Sequence, residues 1–510
     1  MRKSSVVRFR LAAWGGVITS ARPVESRRER ALVFIVVGLV VFARSAIFVF
    51  WEQSFFDSDQ AVIGLMAKHL SELRAFPLFM YGQNYKLAVE AWLAAPVFLV
   101  AGVSVAALKL PLLAINLVVA FLLLRLLERD AHLRPVLAGV ALVFFVLPAP
   151  GTAASFLEAG GGSLEPLLYV LLLWVTRRRP VLCGAILAIG FLHREFTVYG
   201  VVGLAIIGAA NGSLFTKNAL RGVLIAIQSF VAVWVIVELA KPYSSAAGPA
   251  TSLLDVHAAS GLLEVTNRLC VDPRTILTGL QKLVTVHWAD LFGLRAQPVL
   301  QYGIDSGVRQ GLTGSWMFLA GAMLLAVVRL VMSVRRLQHD HEVCAYLTVT
   351  GLVSAVVLAS SRCGAVAAMR YDTLSILGAV GLSAWYLCVE RSRALRAIWM
   401  FFVAGWVGVS ALGHARLWSE YLTHPPYGVK RAIVRELEAR GVRYGTSDYW
   451  IAYYVTFLTK ERIIMTPDDF IRILSYDRDV LAHANQAVLV ARVPCRRGEE
   501  AVPGVYFCPP

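Results

Sequence analysis

Charge is what this 510-residue chain has little of: Asp, Glu, Lys and Arg make up 16% of it, against roughly 25% in an ordinary soluble domain. The shortfall is concentrated in repeated apolar runs that approach the length needed to cross a bilayer core of about 30 Å. Cysteine is also sparse, and the seven present form no CxxC pair and no Cys/His spacing of the zinc kind. There is no GxGxxG and no P-loop, so nothing supports nucleotide binding. A cleavable signal peptide is not expected either, because Ala31–Phe50 is too long for an h-region and no small-residue cleavage site follows it. Arg27-Arg28 lacks a twin-arginine-type continuation and reads as cytosolic flank.

What the chain does have is a net charge of +16. Its distribution argues against a nucleic-acid partner. Eight basic residues lie in the first 30 positions, and most others form short clusters between apolar runs, as the positive-inside rule requires.

Twelve apolar runs can be read: 31–50, 89–103, 106–127, 136–148, 166–176, 181–193, 196–210, 219–240, 311–333, 343–360, 371–389 and 394–413. The basic clusters are Arg125/Arg129/Arg134, Arg177–Arg179, Lys217/Arg221, Arg335-Arg336 and Arg391/Arg393/Arg396. If every run crossed, all five clusters would lie opposite the basic N-terminus. If 89–103 stays on one face, all five join it in the cytosol. Pro96 and Gly102 suit such a broken, partly embedded segment. The expectation is therefore an all-α polytopic bundle of about eleven spans, multi-pass in the inner (cytoplasmic) membrane, with its N-terminus cytosolic and its C-terminus extracytoplasmic.

The implied division is a basic segment 1–30, a transmembrane domain 31–413 with outer loops 51–88, 149–165 and 241–310, and a soluble tail 414–510. The tail carries 13 Lys/Arg and 11 Asp/Glu. Lys430–Arg440 reads as an amphipathic helix with Ile433, Val434 and Leu437 on one face and Gly441 ending it. Strand-like Val442–Gly445, helix-like Trp450–Leu458, and strand-like Arg462–Met465 and Ala487–Val493 complete a small α/β domain. Cys495 and Cys508 fall in this tail, either as a disulfide or as two free thiols.

Candidate chemistry gathers in the outer stretches. Asp57 and Asp59 follow the first span, where a carboxylate near lipid is costly unless paired or used; one can serve as a general base, or Asp59 can cap the helix Ala61–Leu70. Glu158 and Glu165 flank a glycine run whose backbone permits close ligand approach, or else face water. Glu90 and Glu195 sit at run edges, the latter beside His193-Arg194. Arg194, Arg362 and Arg370 lie at outer span ends, suited either to holding a phosphate through a bidentate charged bond or to snorkelling to head groups. Tyr444, Asp448, Tyr449, Trp450, Tyr453 and Tyr454 form either a sugar platform or a core. His257, His287, Trp288 and Asp290 belong to a loop that covers the site or is structural.

The stretch Asp57–Leu70, then Phe76–Tyr85, then Glu90-Ala-Trp92 resembles bacterial members of the GT-C glycosyltransferase superfamily, akin to protein O-mannosyltransferases and lipid A aminoarabinose transferases. The resemblance implies an enzyme that moves a sugar from a polyprenyl-phosphate donor to a glycan, lipid or protein acceptor. It makes Asp57 or Asp59, with Glu158, the acids at the transfer site, and Arg194, His193, Glu90, Gln83, Tyr85 and Arg370 the substrate-binding residues. Members commonly carry Asp-Glu where this chain has Asp59-Gln60. A divalent cation (Mg or Mn) held by Asp59 and Glu158 is therefore one acid short. Rival readings are a flippase for lipid-linked saccharides, which would show internal repeats and midplane charges, and a non-catalytic cell-envelope assembly protein.

The topology has a direct check. Reporter fusions after residues 130, 178, 336 and 393 should read cytosolic, and those after 160 and 430 extracytoplasmic. An extracytoplasmic signal at 178 would restore 89–103 as a span.

Overall fold

A computed structural model describes residues 24–51, 56–83, 86–244, 272–295, 314–333, 341–360, 369–423, 428–496 and 498–509. Tyr85, His257 and Arg362 lie outside them. Six described helices are long and apolar enough to cross a membrane: Arg27–Phe50, Val105–Arg129, Lys217–Tyr243, Ser315–Ser333, Glu342–Ala359 and Arg393–Thr423. Five shorter apolar helices join them. The expected run 136–148 is not one helix: it breaks at Leu142 into Pro135–Ala141 and Val143–Val146. The described residues thus hold six long candidates with shorter apolar helices between them.

The elements that place the site are α1 (Val24–Phe50), α2 (Ser58–Ser71), α3 (Val89–Ala101), α4 (Val105–Arg129), α5 (Pro135–Ala141), α6 (Val143–Val146), α7 (Pro150–Ser155), α8 (Glu165–Thr176), α9 (Pro180–His193), α10 (Val198–Ala210) and α11 (Lys217–Ala240). Proline opens α5 and α7, where its missing N–H costs nothing. Ser104 caps α4, accepting the Ala107 amide at 3.1 Å.

The bundle has two distinct ends. One gathers Arg30, Arg129 and Arg134 with their counter-ions: Arg30 pairs with Glu128 at 2.8 Å, Arg134 with Glu29 at 3.5 Å, and Asp130 binds Arg129 at 2.6 Å and the Trp174 indole at 2.8 Å. At the other end α3 begins and also finishes. Its Glu90 bonds the Gly160 amide, while α4, which follows after Gly102, sends Asn116 to the Phe156 carbonyl at 3.3 Å. Phe98 stacks on Phe457 of the tail at 6.4 Å. So α3 packs against α2 and the tail, from Ala91 near its start to Phe98 near its finish. Arg44 of α1 is buried, bonded to Asn116 at 2.7 Å and lying over the Phe145 and Phe156 rings.

Beyond α12 (Pro273–Lys282), α13 (Trp288–Leu291), α14 (Ser315–Ser333), α15 (Glu342–Ala359) and α16 (Ser375–Val389), the helix α17 (Arg393–Thr423) carries the chain toward the tail. The α15–α16 contact is close because Gly351, Gly378 and Gly381 leave room for backbone, and a Cβ on Gly381 would sit 2.6 Å from the Thr348 nitrogen. The segment around His287, Trp288 and Asp290 packs inward: Thr152 bonds the Leu291 carbonyl at 2.6 Å, and Trp288 reaches Ser375 at 3.3 Å.

The tail comprises α18 (Val429–Ala439), β1 (Tyr444–Ser447), α19 (Tyr449–Leu458), β2 (Ile464–Pro467), α20 (Leu474–Ala482), β3 (Val488–Ala491), β4 (Glu499–Val502) and β5 (Val505–Cys508). Strand order is β2-β1-β3-β5-β4, with β1 parallel to β2 and β3, and β5 antiparallel to β3 and β4. Ile433, Val434 and Leu437 are buried as the amphipathic pattern requires, and Gly441 follows at φ +66°. The hairpin β4–β5 has no counterpart in the sequence reading. Cys495 and Cys508 form a disulfide.

The tail shares one apolar core with α2 and α3: Val62, Leu65 and Met66 pack with Ile451, Val455 and Phe457. A polar staple closes the C-terminal end of α2. Glu461 accepts from Lys68, from Arg74, from His69 at 3.0 Å and from Tyr476 at 2.7 Å. Burial opposes its charge, but these four donors outweigh burial and hold Glu461 well below the usual carboxylate range. A depressed carboxyl stabilises the fold fully above the unfolded-chain value, about 4.3, and loses that contribution as pH falls below it. Docking of the tail, read by limited proteolysis in detergent, should therefore weaken as pH drops under about 4. Glu461→Gln should cost on the order of 3 kcal/mol at neutral pH and abolish that acid dependence.

Candidate active site

Three features of local sequence shape the site. The first is the start of α2. Asp57 accepts the Gln60 amide at 3.0 Å. The cap is thus Asp57 and not Asp59, because the helix begins at Ser58, earlier than the apolar pattern implied. Burial raises the Asp57 carboxyl above the ordinary aspartate range, and the neighbouring Asp59 charge adds to this; the Gln60 amide and Lys430 oppose it. Asp59, freed from capping, points to the tail. Its Oδ1 accepts from the Tyr449 hydroxyl and from Arg472 Nη2 at 3.3 Å. The i, i+2 spacing separates the two acids, as helical geometry dictates.

The second feature is the turn Gly160–Gly162. The Gly160 amide donates to Glu90 Oε2 at 2.6 Å, and its carbonyl accepts from Lys86 Nζ at 2.9 Å and from Arg194. Gly162, at φ +66°, lies where any Cβ would run into the Arg194 guanidinium. The glycine run is therefore a framed turn, not a flexible connection. Arg194 spends its charge there and not on Glu195, which is exposed.

The third is the loop between α2 and α3, folded back by the Phe79–Leu87 bridge and the Met80–Lys86 amide bond of 2.8 Å. That fold directs Lys86 at Gly160. Burial pulls the Lys86 ammonium down to about 8, with Arg194 acting in the same direction. Two cations meeting at one carbonyl repel one another, so an anion beside them would be welcome.

Glu158 lies between these features. Burial and, second, the Asp57 charge push its carboxyl up to about 7, against the pull of Arg370 and Lys109. Arg370 lies over the Tyr371 ring at 5.2 Å. His193 binds the Tyr169 hydroxyl at 3.0 Å, with Glu90 Oε1 3.9 Å from its other nitrogen. Gln83 closes a turn, its amide donating to the Met80 carbonyl at 2.9 Å. Of the tail residues singled out from the sequence, Tyr449, Tyr453 and Tyr454 are core, Asp448 pairs with Arg492 at 3.0 Å, and Tyr449 reaches a site carboxylate.

Lys86, Lys109, Tyr449 and Arg472 were not singled out from the sequence. Lys86 directly follows the quoted motif and could have been. Arg472 stands in a stretch with no pattern to mark it. For a metal the donor set does not fit: among the described residues no three His, Cys, Asp or Glu side chains are close enough to share an ion, and Asp59 Oδ1 is already bonded to a guanidinium and a phenol.

The helical bundle with its small C-terminal sheet shares its fold with solved membrane-enzyme structures. The likeness is to the oligosaccharyltransferase AglB of Archaeoglobus fulgidus in complex with an inhibitory peptide and a dolichol-phosphate, at TM-score 0.53 and 12% identity, covering 91% of this chain and 69% of that one. It extends to ArnT of Cupriavidus metallidurans bound to undecaprenyl phosphate, at TM-score 0.50 and 12% identity, covering 90% and 92%. The same archaeal enzyme in complex with Zn and sulfate aligns at TM-score 0.51. No protein-family model and no curated protein matches the chain.

Gly162 and Gly212 share φ +66°, but a Cβ on Gly212 meets nothing within 4 Å. Gly212→Ala should cost only backbone strain, about 1 kcal/mol, whereas Gly162→Ala should cost about 2–4 kcal/mol because Arg194 must also move. Thermal unfolding midpoints of the two variants in detergent test the difference.

Proposed function

We propose that this protein is a membrane glycosyltransferase that moves a sugar from a polyprenyl-phosphate donor to an acceptor on the extracytoplasmic face. One observation carries the reading: at one end of a GT-C-fold bundle, three carboxyls (Asp57, Asp59, Glu158) stand beside three cations (Lys86, Arg194, Arg370). Lipid phosphates bound to AglB and ArnT support the donor class. The basic clusters at the opposite end support a cytosolic orientation for that end, and the division at about 414 is kept as part of the proposal.

The reaction is a direct displacement. Asp59 accepts the proton of an acceptor hydroxyl, whose oxygen attacks the anomeric carbon. The bond from that carbon to the phosphate oxygen breaks, and the departing polyprenyl phosphate keeps the electron pair. Charge develops there, and Arg194 and Lys86 are placed to stabilise it. Glu158 orients the acceptor. A second assignment has its own support: a carboxyl held at about 7 is tuned for proton transfer near neutral pH, which makes Glu158 the alternative base. No step is routed through a metal, given the donor set.

Transfer of labelled sugar by membranes carrying each variant at matched protein level is the test. Loss of the true base should lower turnover about 10²–10⁴-fold, so Asp59→Asn should fall far below Asp57→Asn, which loses mainly a cap. Arg194→Ala should weaken use of the donor and Arg194→Lys should restore it only in part, because the planar fork is gone. Near-normal transfer by the Asp57→Asn/Asp59→Asn double variant would rule out this site.

A further inference from the structure

Arg472 is a buried guanidinium, its side chain 8% exposed, and its ion pair is with Asp59 on an element almost the whole chain away. Every part of it is held. The Arg472 and Ile473 amides donate to the Tyr453 hydroxyl at 2.6 and 3.1 Å, Nε donates to the Tyr449 hydroxyl at 2.6 Å, and Nη1 reaches the Tyr81 carbonyl at 3.4 Å. The Phe470 ring lies 4.9 Å from its charge centre. Gly82, at φ +70°, lets the α2–α3 loop settle on it: a Cβ there would stand 3.0 Å from the Arg472 Cα. Such clamping fixes one rotamer, and its Nη2 and the Tyr449 hydroxyl both donate to the same oxygen, Asp59 Oδ1. The described residues give Oδ2 no such bond. Asp59 is therefore presented with one oxygen anchored and one available.

We infer that Arg472, acting with Tyr449, is the positioning residue of Asp59, so that the soluble tail completes the transfer site of the membrane bundle. This rests on reading Asp59 as the acid of that site. A purely structural role is not needed at this place, because the Glu461 staple already fastens the tail to the far end of α2. The arrangement differs from an ordinary surface ion pair in two respects: the cation is buried and its geometry is over-determined. Asp57, Glu158, Arg370 and Lys86 also act on Asp59 through their charge, but none of them donates to it.

Two readouts test the inference in the full-length protein. In the transfer assay, Arg472→Gln should lower kcat about 10–100-fold while donor KM changes little, as expected for a misaimed group. Arg472→Lys should recover part of this, and Tyr449→Phe, which keeps the ring in its core, should lose several-fold. In an Asp59→Asn background, Arg472→Gln should cost nothing more, since residues acting through one group are not additive. Losses that multiply would overturn the inference. The second readout needs no turnover: coupling of an amine to Asp59 by a water-soluble carbodiimide, followed by peptide mass spectrometry. The freed carboxyl of Arg472→Gln and Tyr449→Phe should couple several-fold faster than the wild type, and equal coupling would overturn the inference. Wild-type membranes that transfer no sugar from any polyprenyl-phosphate donor would instead count against the function, with the coupling result still deciding whether Arg472 and Tyr449 hold Asp59.

Discussion

The peptide group of Gly160 is the point on which the charged end of the bundle depends. Side chains drawn from α3, from the loop before it and from the end of α9 all need partners at the edge of an apolar bundle, where unsatisfied charge is expensive. Gly160 supplies both kinds of partner, with its amide on Glu90 and its carbonyl on Lys86 and Arg194. Because the turn is fixed, Glu158 just before it is fixed too, within the field of Asp57. Without this tie the acids and bases of the candidate site would belong to separate loops.

A second dependence runs through α2. One helix carries a cap at its start, an apolar face shared with the tail, and a polar staple at its end. It is a hinge piece between two kinds of environment, lipid-facing bundle and aqueous sheet. The consequence for chemistry is that two neighbouring aspartates have different surroundings: Asp57 turned inward and capping, Asp59 turned to Tyr449 and Arg472. Environment, rather than residue type, distinguishes them, and under the proposed reaction it is what would give them different work.

Residues 89–103 show how far local pattern reaches. Hydropathy alone makes them another span, and the parity of the basic clusters, with Pro96 and Gly102, argues against it; in the structure α3 joins the Gly160 turn through Glu90 and the tail through Phe98. The run 136–148 shows the opposite case, in which an apolar stretch long enough to suggest a helix breaks at Leu142. In the tail, the amphipathic helix and three of the strands followed from periodicity, whereas the β4–β5 hairpin is short, charged at Glu499 and Glu500, and carries no alternating apolar signal.

By itself the sequence determined that this is a helical membrane bundle with an α/β tail, and that Asp57, Asp59, Glu158, Arg194 and Arg370 lie in its loops and span ends. Apolar run length, charge punctuation and the Asp57–Trp92 motif are local properties, and bilayer physics acts on them directly. Only the tertiary structure decided which aspartate caps and which faces the tail, that Lys86 and Arg194 share one carbonyl, and that Arg472 meets Asp59. Those facts depend on contacts between residues tens to hundreds of positions apart. No periodicity along the chain encodes such contacts, because they come from how the packed faces meet.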